Sequence, residues 1–427
     1  MTASPDRTST EDATVALERC DRLATISSMP DGIRRIYLSP QHAEADRLAA
    51  EWMREAGLTT WMDGAGSRCG RVEGRTPGLP ALLLGSHLDT VPDAGRYDGV
   101  LGVMIAVLVA RRLAPIAHTL PFALEVVAFP DEEGVRFGAT LLGSRALAGT
   151  WDPQWWTLTD AEGVSLAQAF RQFGLDPARI GTAARRPDSV IGYLEAHIEQ
   201  GTALQDGDEA LGVVTSIAGA RRMAIRFLGE AGHAGGTPYE KRHDALVGAS
   251  EAVVEIERIG RSRGVIATVG SLEVRPGAVN VVPGRVDLTL DLRAPDDASR
   301  DDSWAAIRDR MTAIADRRGL TVQTRPTHVA RSVACAPNLQ EAVAAGITEV
   351  TGSGSPLRLW SRAGHDAMAV ADLCPVGMQF IRCRDGISHR PDESVRADDV
   401  AQAIDALERT VLTLARAYRT DQATADL

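Results

Sequence analysis

The feature that most constrains this chain is an apolar run at residues 81–90 that ends in polar side chains. His87 and Asp89 lie at the end of the run, and Asp98 follows after a glycine-containing turn. A continuous apolar run is typical of a strand buried on both faces of a parallel sheet, and open α/β sheets carry their sites just beyond the carboxyl ends of such strands. We interpret His87 and Asp98 as metal ligands, with Asp98 able to bridge two ions and Asp89 orienting His87.

Three later segments also end in acidic or histidine side chains. These side chains are Asp131, Glu132, Glu133, His197, Glu199 and His389. Three consecutive acids directly after a strand repel one another and need cations to stay ionised together. Each segment alone also fits a polar surface turn, a buried structural histidine or a loop histidine. Taken together, one bridging carboxylate and four further ligands can hold two divalent ions about 3.5–4 Å apart, so the sequence predicts a two-metal site.

Composition argues against several other classes of protein. The chain has 427 residues, too many for one compact core, and its 44% apolar and 24% charged content is ordinary for a soluble globular protein. The net charge of −11 argues against nucleic acid or an anionic membrane as the main partner. Five scattered cysteines without a CxxC pair, and no signal-peptide core in residues 1–18, indicate a cytoplasmic protein. The longest apolar stretch, residues 100–110, is too short to span a bilayer and predicts a core helix.

The predicted fold class is α/β, with one domain inserted into another. A strand–helix–strand order over residues 81–129 predicts a βαβ unit and therefore a parallel sheet. From about residue 215 the order changes to β-α-β-β-α-β, that of a split βαβ sandwich. Its strands are predicted at residues 222–228, 265–274, 285–293 and 320–324, and its helices at 244–259 and 303–317. Residues 1–214 and 327–427 should form a catalytic α/β domain with a mixed, largely parallel sheet, and residues 215–326 the inserted domain.

Eight motifs, in order along the chain, carry a family resemblance. They are GSHLDTVPDAGRYDG, FPDEEGVRFG, HIEQG, GEAGHAGGTP, GAVNVVPG, LDLR, AGHDAM and GISHRPDE. With them the chain resembles the N-carbamoyl-L-amino acid hydrolases and allantoate amidohydrolases, which are relatives of the dinuclear zinc aminoacylases and peptidases. The resemblance implies a catalytic α/β domain and an inserted lid domain that also mediates homodimerisation.

The resemblance also implies roles for the residues above. One ion would be bound by His87, Asp98 and His197, and the other by Asp98, Glu133 and His389. Glu132 would be the catalytic base, since a carboxylate next to a ligand can move a proton from the attacking water to the leaving nitrogen. The two divalent ions would be zinc, manganese or cobalt, all of which accept histidine and carboxylate ligands.

The remaining implied roles concern the substrate. His233 would donate a hydrogen bond to the oxyanion from the lid domain, reaching the partner subunit's site. Asn280 and Arg293 would bind the free carboxylate of a small-molecule substrate, because a guanidinium fits a carboxylate bidentately. Without the resemblance, a same-face salt bridge between Arg293 and Asp291 is the simpler expectation. Further pocket contacts would come from Gln200 and His365.

The predicted function is hydrolysis of a linear amide-type C–N bond, with the carbamoyl group of an N-carbamoyl-L-amino acid as the expected target. Allantoate or another ureido acid stays open, as does an aminoacylase or dipeptidase, whose bulkier substrates need a roomier pocket. A non-catalytic small-molecule binder on the same fold would be favoured by loss of a ligand or of the base, and the sequence retains them all. Arg362 stands where the family commonly has glycine, which puts the substrate in doubt more than the reaction.

Overall fold

The computed structural model describes residues 8–425. Residues 1–7, which belong to the stretch without a signal-peptide core, lie outside the described residues, as do residues 426–427. The chain divides into two compact units. The first comprises Met1–Thr215 and Cys335–Leu427, and the second comprises Ser216–Ala334.

Strands and α-helices alternate through much of the described chain. The strands are β1 (Thr59–Met62), β2 (Arg68–Val72), β3 (Ala81–His87), β4 (Ala123–Phe129), β5 (Val190–Ile198), β6 (Leu211–Ile217), β7 (Gly219–Leu228), β8 (Gly232–His233), β9 (Ile266–Thr268), β10 (Leu272–Arg275), β11 (Val281–Val282), β12 (Arg285–Ala294), β13 (Thr321–Ala330), β14 (Val333–Ala334), β15 (Leu357–Ser361) and β16 (Val376–Ile381). The helices are α1 (Ser9–Ala24), α2 (Pro40–Glu55), α3 (Val100–Leu113), α4 (Leu142–Leu147), α5 (Leu166–Phe173), α6 (Ala203–Asp206), α7 (Ala245–Arg263), α8 (Asp297–Arg318), α9 (Pro337–Thr351), α10 (Ala367–Val370) and α11 (Ala397–Ala425).

The sheet of the first unit has the strand order β1-β2-β4-β3-β5-β16-β6, and β15 also pairs with β6. Its four central strands, β4, β3, β5 and β16, are parallel, whereas β1, β2 and β6 join by antiparallel pairing. β3 and β4 are buried along their whole length, as a sheet covered on both faces requires. The predicted α/β class with a largely parallel central sheet is confirmed.

Helix α3 lies in the core of the first unit. Every residue from Val100 to Ala110 is buried, which agrees with the predicted core helix. By length and composition Val100–Thr119 could cross a membrane, but 72% of its most apolar window is buried inside this molecule. Because α3 begins directly after Asp98 and Gly99, its packing fixes the position of a predicted ligand.

We expect Gly102→Ala to destabilise the protein. A Cβ atom at residue 102 would lie 2.1 Å from the carbonyl oxygen of Ala196 and 2.9 Å from Cβ of Ser86, so α3 would have to move away from β3 and β5. Overpacking of this kind costs about 1–3 kcal/mol, which urea unfolding measures as a lower free energy of unfolding. The matched control is Gly181→Ala, where a Cβ atom would meet nothing within 4 Å. Equal losses in the two variants would contradict the packing argument.

The second unit folds around its own antiparallel sheet. The strand order is β10-β12-β7-β13, with β9 also paired to β12, and side chains of α7 and α8 share one buried apolar cluster with this sheet. On β12, Val286, Leu288, Leu290 and Leu292 are buried and alternate with more exposed polar residues, so one face of the sheet is apolar. Along the chain the order is β-α-β-β-α-β, with β9 and β10 counted together and the two-residue strands β8 and β11, which pair only with each other, left out.

Two strands of the second unit differ from the prediction. The sequence suggested one strand over residues 265–274, whereas the structure has two short strands, β9 and β10, each paired with a different part of β12. The last strand was expected to end at residue 324 but extends to Ala330, because β13 continues to pair with β7 beyond an irregularity between Pro326 and His328.

Candidate active site

The predicted ligands lie near the carboxyl ends of the parallel strands. They are His87 (end of β3), Glu133 (after β4), His197 (β5), Asp98 (before α3) and His389 (after β16). Parallel strands present their carboxyl ends at one edge of a sheet, which brings these distant positions of the chain together.

Asp98 lies between two groups of side chains. Its Oδ1 atom is 3.2 Å from Nε2 of His197 and 4.0 Å from Nε2 of His87. Its Oδ2 atom is 3.0 Å from Nε2 of His389, which is also 3.3 Å from Oε1 of Glu133. Within each group the potential ligand atoms all lie within 4.8 Å of one another. The two oxygens of one carboxylate therefore face two ligand sets, the same two sets that the family resemblance implies.

Two of the histidines present the ring nitrogen that a metal ion needs. Nδ1 of His87 lies 3.1 Å from the carbonyl oxygen of Asp89, and Nδ1 of His197 lies 2.9 Å from that of Ile198. A ring that donates its Nδ1 proton to a carbonyl keeps a lone pair on Nε2, and Nε2 is the atom turned toward Asp98 in both. Imidazole nitrogens with carboxylate oxygens suit zinc, manganese or cobalt, so these residues fit a metal ion.

The ionisation of each group in the cluster depends on its charged neighbours. Burial opposes ionisation of Asp98, yet hydrogen bonds from His197 and His389, together with the charge of His87, hold the pKa of Asp98 well below its usual range. Hydrogen bonds to Asp98 and Glu133 raise the pKa of His389 to about 10. Ligating histidines must be neutral, so metal ions and protons compete for the same nitrogen atoms.

Asp89 and Gly99 support the cluster. The carboxylate oxygens of Asp89 accept hydrogen bonds from the backbone N–H groups of Glu132 and Glu133, at 2.9 and 3.1 Å, and Oδ1 is also 3.3 Å from Nδ1 of His87. Asp89 thus connects the ligand on β3 to the acidic residues after β4. Gly99 has a φ of +66°, and a Cβ atom there would lie 2.3 Å from Nε2 of His87, so only glycine allows this close approach.

Glu132 lies beside the predicted ligands and belongs to none of the groups of potential metal ligands found among residues 8–425. Burial raises the pKa of its carboxyl well above the usual range; the charge of His87 opposes this effect, and Glu133 and Asp366 reinforce it. Gly364 is exposed, and a Cβ atom added to it would lie 3.6 Å from Oε1 of Glu132. A carboxyl group with a raised pKa can accept and return a proton near neutral pH.

Gln200 and His365, predicted as substrate contacts, contact the predicted ligands themselves. Nε2 of Gln200 donates a hydrogen bond to Oδ2 of Asp98 at 3.1 Å and lies 3.3 Å from Nε2 of His389. His365 is only 1% exposed, and its ring centre is 4.5 Å from that of His197. In this structure both side chains therefore contact predicted ligands, an arrangement that sequence patterns do not reveal.

An open pocket of about 380 Å³ adjoins Gln200. Its lining also includes Leu359, Trp360, Arg362 and Phe380. The guanidinium of Arg362 lies 5.6 Å from the ring centre of Trp360, within the range of a cation–π contact. The residue that departs from the family pattern therefore lies at a pocket beside the ligand cluster.

His233 and Asn280 lie near each other in the second unit. His233, on β8, is exposed, and its Nδ1 atom accepts a hydrogen bond from the N–H group of Gly236 at 3.0 Å. In a neutral ring this contact places the proton on Nε2, which is then a donor. Asn280 is exposed in the turn before β11, and its carbonyl oxygen accepts a hydrogen bond from the N–H group of Ala234 at 2.9 Å.

Arg293 is paired within its own strand. Its Nη2 atom is 3.0 Å from Oδ2 of Asp291, and its Nε atom is 3.3 Å from Oδ1. This is the same-face salt bridge that the sequence suggests when the family resemblance is set aside. A substrate carboxylate would therefore have to share the guanidinium with Asp291.

Two residues of the cluster are absent from the sequence prediction. Oγ of Ser388 is 3.1 Å from Oδ2 of Asp98 and 3.0 Å from Oε2 of Glu393. Oε1 of Glu393, in turn, accepts hydrogen bonds from the backbone N–H groups of Tyr97 and Asp98. The motif GISHRPDE contains both residues, but nothing in its pattern indicates that residue 393 contacts residue 98.

The predicted ligands are histidine nitrogens and carboxylate oxygens that meet at a shared carboxylate, on the carboxyl edge of a largely parallel sheet. This arrangement is the one expected of a metal-dependent hydrolase. The chain belongs to the Peptidase family M20/M25/M40, whose sequence model matches residues 83–413. This result confirms the resemblance that the motifs carry, and the chain is a hydrolase of this metal-dependent family.

The chain is similar to named enzymes over nearly its whole length. It is 39% identical to an N-carbamoyl-L-amino acid amidohydrolase from Geobacillus stearothermophilus, over 93% of this chain and 98% of that protein. It is 38% identical to an allantoate deiminase from Arabidopsis thaliana, over 91% of this chain and 80% of that protein. The crystal structure of an amidase of the hydantoinase/carbamoylase family from Burkholderia multivorans matches with a TM-score of 0.87 at 33% identity, covering 94% of this chain and 98% of that one.

Proposed function

We propose that this chain hydrolyses the carbamoyl group of N-carbamoyl-L-amino acids, giving the amino acid, carbon dioxide and ammonia, with two divalent ions per subunit. Asp98 carries the proposal: its two oxygens face two ligand sets, each of which would hold one ion. Support for the substrate comes from relatives named N-carbamoyl-L-amino acid amidohydrolases, at 36–39% identity.

The chain's own residues would divide the work of the reaction. His87, Asp98 and His197 would hold one ion, and Asp98, Glu133 and His389 the other. When bound, the ions make hydroxide available near neutral pH and polarise the substrate carbonyl. Glu132 takes the proton of the attacking water and delivers it to the leaving nitrogen. His233 donates a hydrogen bond from Nε2 to the oxyanion, acting in the site of a partner subunit.

The substrate's free carboxylate would be bound by Asn280 and Arg293. We expect Arg293→Ala to raise KM for substrates with a free α-carboxylate and to change kcat little, because the contact exists in both ground state and transition state. A hydrogen bond to a charged group contributes about 1.5–3 kcal/mol, which corresponds to roughly a 10- to 100-fold rise in KM. Steady-state kinetics on an N-carbamoyl amino acid and on its methyl ester measure the effect.

The ester and a second variant serve as controls for this carboxylate contact. Asp291→Ala frees the guanidinium from its strand partner, so KM is not expected to rise in that variant. If Arg293→Ala raises KM equally on the acid and on the ester, Arg293 does not bind the carboxylate.

Allantoate hydrolysis is the second candidate, favoured by the 38% identity to the Arabidopsis allantoate deiminase. Allantoate is also a ureido acid with a free carboxylate, so the same ligands, base and carboxylate contacts would serve. The pocket that contains Arg362 is the part of the site where a preference between the two substrates would arise.

Three further proposals concern the protein as a whole. The first unit would be the catalytic domain, and the second would be a lid that also forms a homodimer. The expected partner is a small molecule, with neither nucleic acid nor a membrane involved. A cytoplasmic location is supported by the five cysteines, all of which are free and buried, as is usual in a reducing compartment.

A substrate panel tests the proposed function. Protein loaded with zinc, manganese or cobalt would be offered N-carbamoyl-, N-formyl- and N-acetyl-L-amino acids, allantoate and dipeptides, with detection of ammonia and of free amine. We expect the fastest turnover on an N-carbamoyl-L-amino acid, its loss after chelation and its return with added metal. Preference for allantoate would favour the second candidate, and no turnover on any substrate would indicate a binder. Full activity without any divalent ion would refute the proposal.

A further inference from the structure

Glu393 lies between the chain segment that carries Asp98 and the loop that carries His389. It is 3% exposed. Its Oε1 atom accepts hydrogen bonds from the backbone N–H groups of Tyr97, at 2.7 Å, and Asp98, at 3.2 Å. Its Oε2 atom is 3.0 Å from Oγ of Ser388. One buried carboxylate therefore contacts the backbone of one predicted ligand and the residue next to another.

Ser388 extends this contact to the shared carboxylate. Its Oγ atom is 3.1 Å from Oδ2 of Asp98 and accepts a hydrogen bond from Nε2 of Gln200 at 3.1 Å. Oδ2 is the oxygen that faces His389. Glu393 thus holds the backbone of Asp98, and the hydroxyl of Ser388, which has one proton to donate, lies between the carboxylates of Glu393 and Asp98.

The side chain of His389 is less buried than those of the other two histidines in the predicted ligand sets. Its side chain is 46% exposed, compared with 3% for His87 and 2% for His197. Its backbone has a φ of +59°, a conformation that is costly for a residue other than glycine and persists where neighbouring contacts hold it. Ser388 directly precedes His389, so the contact of Glu393 with Ser388 is well placed to fix this loop.

Gly95 leaves room for the carboxylate of Glu393. A Cβ atom on Gly95 would lie 2.2 Å from the carboxyl carbon of Glu393, so a larger residue at position 95 would displace the carboxylate from its backbone donors. A buried carboxylate that accepts several hydrogen bonds holds its position far more firmly than an exposed one.

We propose that Glu393 is a positioning residue that fixes Asp98 and His389 relative to each other and thereby sets the affinity of the ion bound by Asp98, Glu133 and His389. The ion bound by His87 and His197 depends on it less, because both rings are buried and each has its own Nδ1 partner. The inference rests on the ligand sets of the proposed function.

Metal titration of Glu393 variants tests this role. Glu393→Ala is expected to bind the ion of Asp98, Glu133 and His389 about 10- to 100-fold more weakly, the usual loss when a partner of a metal ligand is removed, and the other ion with a clearly smaller loss. Competition with a chelator gives the two affinities for Zn²⁺, and elemental analysis gives the number of ions per subunit. Glu393→Gln is expected to bind both ions nearly as tightly as the wild type, since its amide oxygen can accept the same two N–H groups.

Two more variants complete the set. Asp392→Ala is the matched control, because Asp392 is in the same loop but pairs with exposed Arg390; both affinities should stay unchanged. Ser388→Ala leaves the Glu393 backbone contacts in place and should weaken the same ion as Glu393→Ala, so it carries the test if that variant does not fold.

The outcomes separate this inference from the proposed function. If Glu393→Ala or Ser388→Ala folds and binds both ions as tightly as the wild type, the positioning role is wrong. Equal losses in Glu393→Gln and Glu393→Ala would also overturn it, because charge and not position would then govern the affinity. A wild-type protein that binds no divalent ion would instead remove the ligand sets, and the proposed function with them.

Discussion

Glutamine in place of Glu132 is expected to lower kcat by about 10²- to 10⁴-fold, the range typical of general acid–base catalysis, while both ions stay bound. Glu132 is in none of the groups of potential metal ligands of the described chain, and a glutamine amide cannot take the proton of the attacking water. The backbone N–H group of residue 132 would still donate to Asp89, so the ligands should keep their positions. Steady-state kinetics and elemental analysis on the same preparation measure both effects.

Glu133→Gln is the matched comparison for this experiment. The residue is adjacent in the same turn, but its Oε1 atom is 3.3 Å from His389, so this variant should lose metal together with activity. Near-normal turnover in Glu132→Gln would refute the assignment of the base. Loss of metal in Glu132→Gln would instead place Glu132 among the ligands.

Asp98→Ala is expected to remove both ions and to lower the activity to that of the metal-free protein. Each ligand set contains Asp98. The substitution therefore leaves one set with two histidines and the other with Glu133 and His389. His197→Ala is the contrasting variant, because Nε2 of His197 faces Oδ1 of Asp98 and not the oxygen that faces His389, and it should weaken one ion alone. Chelator competition distinguishes the two results. An Asp98→Ala protein that retains both ions at wild-type affinity would show that Asp98 is not the bridge.

The strands that the sequence predicts well are those with a clear burial pattern. β3 is buried on both faces and β12 alternates strictly, so each produces its own periodicity in the sequence. β6 and β15, by contrast, are absent from the prediction. β15 is short and mostly only partly buried, and β6 pairs with β16 and β15, which come much later in the chain. A local pattern carries no information about such distant pairing.

The same distinction holds for the candidate site. The proposed ligands could be suggested from the sequence because most of them lie at or within a few residues of the end of an apolar strand, and the salt bridge of Arg293 with Asp291 was predictable because residues two apart share one face of a strand. The contacts of Glu393 with Asp98, and of His365 with His197, join segments that only the folded chain brings together. Sequence patterns therefore suggest the ligands but not the residues that position them.

The chain leaves the first unit at Thr215 and re-enters it at Cys335, and the N–H group of Cys335 donates a hydrogen bond to the carbonyl oxygen of Thr215 at 2.9 Å. Because these two points are adjacent, the 119 residues between them, here called the cassette, could be exchanged as one segment. Joining two adjacent points of a chain costs little chain entropy. The proposed ligands and base all belong to the retained part, whereas His233, Asn280 and Arg293 belong to the cassette. If these residues have the roles proposed above, a chimera with the cassette of a relative would take on that relative's carboxylate recognition and keep its own metal ligands.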